Sequence, residues 1–133
     1  MIRVLLDTCV WIWLASDRQR LSEAAFEAIA VARKESRLGV SVISCWEVAK
    51  LVGKGRLNFR IPVRDWIHRA LRMEGLIQMD LTADVCVGST ELPGSFHGDP
   101  ADQILVATAR GLGATLITPD RAIRQYPHVP TIW

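Results

Sequence analysis

Five acids in this chain stand in contexts that suit a helix start, and their types suit one kind of chemistry. Asp99 and Asp102 sit three positions apart in the stretch His97–Ala109, HGDPADQILVATA. Read locally, Asp99 is an N-cap, Pro100 takes the first helical position and Asp102 lies in the first turn. Two carboxylates at one helix start exceed what capping needs. Asp7 follows the apolar run of LLDT, Glu47 lies in SCWEVAKL and Asp120 in LITPDRAI. Each has a local explanation too: Asp7 as an N-cap, Glu47 as the reciprocal member of a Ser44–Glu47 capping box, Asp120 as a favourable first-turn charge. If the five meet, they repel one another and hold their protons more tightly. A fold tolerates such a cluster when a divalent cation neutralises it. The donors are all hard oxygens, with no Cys/His set, which favours Mg²⁺ or Mn²⁺ over zinc.

Whether they meet depends on the elements that carry them. Short apolar runs at Ile2–Leu6, Gly39–Val42, Leu76–Met79 and Ala114–Ile117 read as strands, and Pro130–Trp133 as an edge strand. Between them lie helical segments. One runs from Asp7-Thr8 to about Ala15. A second starts at the Ser22 cap, with Leu21 and Phe26 at hydrophobic-staple positions. The others run from Ser44 to near Gly53, from Pro62 to Leu71, from Thr82 to Ser89, from Pro100 to Gly111 or Gly113, and briefly after Asp120. Apolar strands alternating with helices imply an α/β fold, a parallel sheet covered on both faces. In such a sheet each strand ends where a helix begins, so these junctions share one edge, where such folds bind ligands. Asp7, Glu47 and Asp120 fall at these junctions, and Asp99 and Asp102 are inferred to join them.

The bulk composition bounds the rest. A chain of 133 residues, half of them hydrophobic, reads as a single domain spanning residues 1–133. A net charge of +2, from 16 basic and 14 acidic residues, does not announce a nucleic-acid binder. Cys9, Cys45 and Cys86 lack CxxC spacing and read as buried free thiols, which suits a reducing cytoplasm. The N-terminal MIRVLLDTCVWIWLASD imitates a signal peptide faintly. Asp7 interrupts its apolar run, and no other segment could span a membrane.

LLDT, SCWEVAKL, HGDPADQILVATA and LITPDRAI together resemble the four acidic motifs of PIN-domain nucleases, in order and over nearly the whole chain. The nearest branch is the VapC-type toxins of bacterial toxin–antitoxin pairs. The resemblance implies an α/β/α sandwich with a central parallel sheet of four to five strands. It also implies metal-dependent RNA cleavage and a small antitoxin that blocks the site. By motif, Asp7 corresponds to the first metal-ligating aspartate, Glu47 to the second acid, Asp102 to the third and Asp120 to the more variable fourth. Asp99 matches an extra acid of the DPxD sub-branch. Thr8 and Thr118 stand where family hydroxyls assist the site, and each also suits a helix start. On this reading Asp7 and Asp102 hold the cation, with Glu47 placing a second ion or orienting water.

Outside the motifs, Lys50, Lys54, Arg56, Arg60, Arg64, Arg69 and Arg72 face a single acid, Asp65, between positions 50 and 72. Lys50, Lys54, Arg56 and Arg60 suit either an RNA backbone or a solvated face. Arg121 and Arg124 are further phosphate candidates, and His97 reads as a loop histidine. Residues 9–14, CVWIWL, have no polar position, so one side of that helix needs a cover. The expectation is a homodimer and an antitoxin segment laid near Trp11, with burial against Phe26 and Ile29 as the alternative. A phosphorylated receiver domain is disfavoured, because the first strand ends in Asp7 alone and no lysine follows Lys54. A non-catalytic metal-binding module and a PIN nuclease of RNA maturation without an antitoxin remain alternatives.

Overall fold

In the computed structural model, which describes residues 1–133, the central strand β1 (Val4–Leu6) is buried throughout. It pairs in parallel with β2 (Leu38–Ser41) on one side and β4 (Thr115–Ile117) on the other. With β3 (Leu76–Met79) and β5 (Thr131–Ile132) the sheet has the order β3-β2-β1-β4-β5, all parallel. The chain builds outward from β1 through β2 to β3, then crosses back to lay β4 on the other side. The crevice between β1 and β4 is therefore the topological switch point, where ligands bind in open parallel sheets.

Strand side chains alternate between faces. Val4 and Leu6 enter a core with α1 (Thr8–Ser16), α2 (Glu23–Lys34), α3 (Val42–Gly53) and α4 (Val63–Leu71). Leu5 and Leu116 enter a second core with α6 (Pro100–Leu112) and α7 (Arg121–Gln125). α5 (Ala83–Thr90) packs on α6, with Gly88 against Ala107. Helices thus cover both sheet faces, the sandwich expected. α6 ends at Gly113, whose φ of 64° lies in the left-handed region that favours glycine, and β4 follows at once.

Several local expectations fail for physical reasons. α3 starts at Val42 rather than Ser44. Ser41, in extended conformation, caps it by accepting the Ile43 N–H at 3.1 Å, so Val42 leaves the strand. The Ser44–Glu47 capping box therefore does not form, and Asp120 is itself the N-cap of α7 rather than a first-turn charge. The cysteines are not uniformly buried: Cys9 and Cys45 are half-buried and Cys86 is exposed, since α5 has only one packed side. Trp11 does not lie at the site mouth. It is fully buried, edge-on to Trp66 of α4 at 5.2 Å. Trp13 rests beside Trp133, with Arg20 over its ring. The chain's own α4 and C-terminal segment thus cover most of α1, while Phe26, the staple candidate, stays 48% exposed. No helix is long and apolar enough to cross a membrane.

Candidate active site

Asp7 leaves the end of β1 as the N-cap of α1 and is 7% exposed. One carboxylate oxygen accepts the Thr8 N–H at 2.7 Å and the other accepts the Thr118 hydroxyl at 2.6 Å. Thr118 follows β4, so this bond spans the switch point. The Thr118 oxygen also accepts the Asp120 N–H at 3.0 Å, tying the turn before α7 to Asp7. Asp120 accepts the Ile123 N–H at 3.0 Å. On the other flank the Thr8 hydroxyl donates to Glu47. Its oxygen lies 2.8 Å from Ser44 Oγ. A hydroxyl has one proton, and Thr8 gives it to Glu47, so Ser44 is the donor to Thr8. Thr8 and Thr118 thus bracket Asp7, each bound to one further acid or its turn.

Asp99 and Asp102 enter from α6. Asp99 caps that helix through the Asp102 N–H at 3.1 Å. Burial raises the affinity of Asp102 for its proton to a pKa of about 7, and Asp7, Asp99, Asp120 and Glu47 add to it. Burial also raises Asp7, offset by its bonds to Thr118 and Thr8 and reinforced by Asp120 and Asp99. Glu47 is raised by burial, eased by Thr8 and raised again by Asp7 and Asp99. The five acids therefore share one electrostatic environment, although no three metal-donor side chains already stand as a closed ligand set.

Sequence reasoning gave three neighbours no part in the site, reading His97 as a loop histidine and Ser44 as a cap. His97 Nδ1 accepts the Asp99 N–H at 3.3 Å, leaving Nε2 as the protonated nitrogen; Nε2 lies 3.3 Å from Asp102 Oδ2. Its position five residues before Asp102, in the loop entering the same cap, was the available signal. Ser44 precedes Glu47 by three positions, the spacing that puts two side chains on one helix face. Trp46 is 51% exposed beside Glu47. Of the basic candidates, Lys50, Lys54 and Arg56 line a groove of about 180 Å³ together with Glu47 and Asp99. Arg60, Arg121 and Arg124 are exposed and lie outside it.

A doubly covered parallel sheet with acids gathered at its switch point defines an α/β domain whose ligand-binding edge is acidic. The chain matches the PIN domain family over residues 4–129, and it belongs to that family. It is 38% identical over 135 aligned positions to Ribonuclease VapC22 of Mycobacterium tuberculosis (strain ATCC 25618 / H37Rv), covering all of both chains. Solved structures that share its fold include two VapBC complexes. One is the DNA-bound VapBC of Salmonella typhimurium, with TM-score 0.73, 18% identity and coverage of 99% of this chain and 98% of that one. The other is VapBC2 of Rickettsia felis bound to a DNA fragment from its promoter, with TM-score 0.71, 17% identity and the same coverage.

Proposed function

We propose that the chain, read as one PIN domain over residues 1–133, is a divalent-cation-dependent endoribonuclease and the toxin of a toxin–antitoxin pair. The observation that carries this is the convergence of Asp7, Glu47, Asp99, Asp102 and Asp120 on one sheet edge, expressed as four acids raising Asp102. The name of the M. tuberculosis relative supports the ribonuclease reading, and the VapBC structures support the partner.

The residues fit a hard cation. Asp7, Asp102 and Glu47 would hold it, with Asp99 and Asp120 adding negative field. The donors gathered at the site are carboxylate oxygens, which suit a hard cation better than a soft one. When bound, Mg²⁺ or Mn²⁺ neutralises phosphate charge and acidifies water. Asp7 is held on both oxygens and supplies a fixed point. Glu47 and Asp102 would supply the further carboxylate oxygens. The Thr118 and Thr8 hydroxyls orient Asp7 and Glu47, and His97 steadies Asp102. A small antitoxin would offer an Arg or Lys to the same carboxylates, replacing the cation's charge. That docking does not pass through Trp11, which is core. A homodimer likewise needs a face other than α1, and sedimentation of the pure protein tests it.

Cleavage of RNA is expected to require Mg²⁺ or Mn²⁺, to stop with EDTA and to leave 5′-phosphate and 3′-hydroxyl ends. Asp7→Asn is expected to lower the rate on the order of 10²-fold or more, with circular dichroism unchanged. Undiminished cleavage by folded Asp7→Asn protein would overturn the assignment. Co-expression with a cognate small antitoxin is expected to suppress the activity.

A further inference from the structure

We propose that Trp46 is the stacking platform for one unpaired nucleotide of the substrate, placed beside the scissile phosphate; this rests on the ribonuclease reading of the same site. Trp46 precedes Glu47 on α3, and Lys50 and Lys54 follow it at four-residue steps, the spacing that lines up side chains along one helix face. Trp46 is about half exposed, although a large aromatic gains most by burial. The groove beside it has a composition that explains the exposure. Trp46 and Pro100 supply flat apolar walls, Glu47 and Asp99 mark its acid end, and Lys54 and Arg56 add positive charge. Its volume of about 180 Å³ is below the roughly 300 Å³ at which pockets for drug-sized molecules begin, and it suits a single flat ring.

The charge arrangement commits the occupant to a single-stranded nucleic acid, which the ribonuclease reading makes RNA. Phosphates need the cationic side, and the phosphate to be cut needs the acid side once a cation is present. An unpaired base is the group that fits between. Bases of a duplex are stacked on one another, so they do not offer a free face to Trp46. The Lys50 ammonium lies 5.1 Å from the Trp46 ring centroid. A backbone phosphate is a stronger partner for that ammonium than an exposed ring, so substrate entry moves Lys50 to the backbone and clears the ring face. Stacking on an aromatic is tolerant of base identity, so the subsite selects for an unpaired nucleotide rather than for a sequence.

The test measures binding in an Asp7→Asn background without divalent cation, where RNA stays uncut. The probes are a fluorescein-labelled mixed-sequence RNA single strand and its blunt duplex, read by polarisation. Trp46→Ala is expected to weaken single-strand binding about 5- to 150-fold, the range of one stacked base, and to leave duplex binding unmoved. Trp46→Phe is expected to restore most of the affinity. Trp46→Leu keeps apolar bulk without a π face and is expected to behave like Trp46→Ala, which carries the test should the alanine variant misfold. Folded Trp46→Ala or Trp46→Leu protein that binds the single strand as tightly as its parent overturns the proposal, and an equal loss for the duplex does so too. If such a variant loses the antitoxin but not RNA, the ring serves a protein partner and the proposal falls. Trp46-dependent binding without cleavage by the unmutated protein leaves the subsite standing and removes the nuclease reading. Absence of RNA binding by the parent removes both.

Discussion

The two halves of the candidate site are built differently. In the inner half, Asp7, Thr8, Ser44 and Thr118 are all buried. Their hydrogen bonds reach across the fold: Thr118 to Asp7 spans 111 positions, Thr8 to Glu47 spans 39, and Thr8 to Ser44 spans 36. In the outer half, Asp99, His97, Trp46 and Lys50 are exposed, and their contacts are short-range. Asp99 caps its own helix, His97 touches residues two and five positions on, and Lys50 covers Trp46 four positions back. The inner half needs the sheet to assemble before its side chain-to-side chain bonds exist. In the outer half these side-chain contacts form within single helices and a loop, and only its groove depends on α6 packing against α3. That contrast suits a site whose inner acids must be fixed and whose outer surface must admit a long polymer.

Substitutions that break the contrast have graded effects. The largest is expected from Thr118→Val. It leaves one oxygen of buried Asp7 without its partner, and a hydrogen bond to a charged group contributes about 1.5–3 kcal/mol. Thermal melting is expected to show that loss, and cleavage is expected to fall about tenfold or more as Asp7 loses its orientation. Thr118→Ser, which keeps the hydroxyl, is expected to recover most of both. A Thr118→Val protein with unchanged melting and cleavage would show that the inner half is not held as described.

An intermediate effect is expected from pH. Asp7, Glu47 and Asp102 are all raised, chiefly by burial, Asp102 to about 7. Between the ordinary carboxylate range and that value, the folded chain binds more protons than the unfolded one. Their contribution to stability is thus fully present at low pH and is lost as pH rises through about 7. In EDTA, the melting temperature is expected to be lower at about pH 8 than at about pH 5, and Mg²⁺ or Mn²⁺ to restore more of it at the higher pH. A melting temperature that rises over that interval without divalent ions would contradict the crowding of the acids.

The smallest effect is expected from Asp99→Asn in the outer half. Asparagine caps a helix about as well as aspartate, so stability is expected to change by less than about 0.5 kcal/mol. The substitution removes one of the charges that raise Asp102. The pH at which Asp102 titrates, followed by NMR, is expected to fall. An unchanged Asp102 titration would separate Asp99 from the acid cluster and leave it as a cap alone.

Much of this was legible from local pattern. The apolar runs marked β1 and β4 to within a residue or two, because a strand buried on both faces must be apolar along its length; the edge strand β3 was marked by its run although Ile77 and Gln78 are exposed. Asp7, Ser22, Thr82 and Asp99 announced their caps, since a short side-chain acceptor satisfies an orphan N–H within the same few residues. The order of acids along alternating strands and helices was enough to expect one shared edge. What only the tertiary structure decided were choices between equally good local partners. Ser44 and Glu47 had capping-box spacing, yet β2 runs on to Ser41, which caps α3 first and frees both side chains for Thr8. Trp11 and Trp13 were alike in an all-apolar helix, until α4 buried one and the C-terminal Trp133 half-covered the other. Basic residues from 50 to 72 were alike as charges, and only the approach of α6 to α3 made a groove of Lys50, Lys54 and Arg56 and left Arg60 outside. Local patterns specify what a residue can bond within its own turn. Which of several possible bonds forms depends on what the rest of the chain brings within reach.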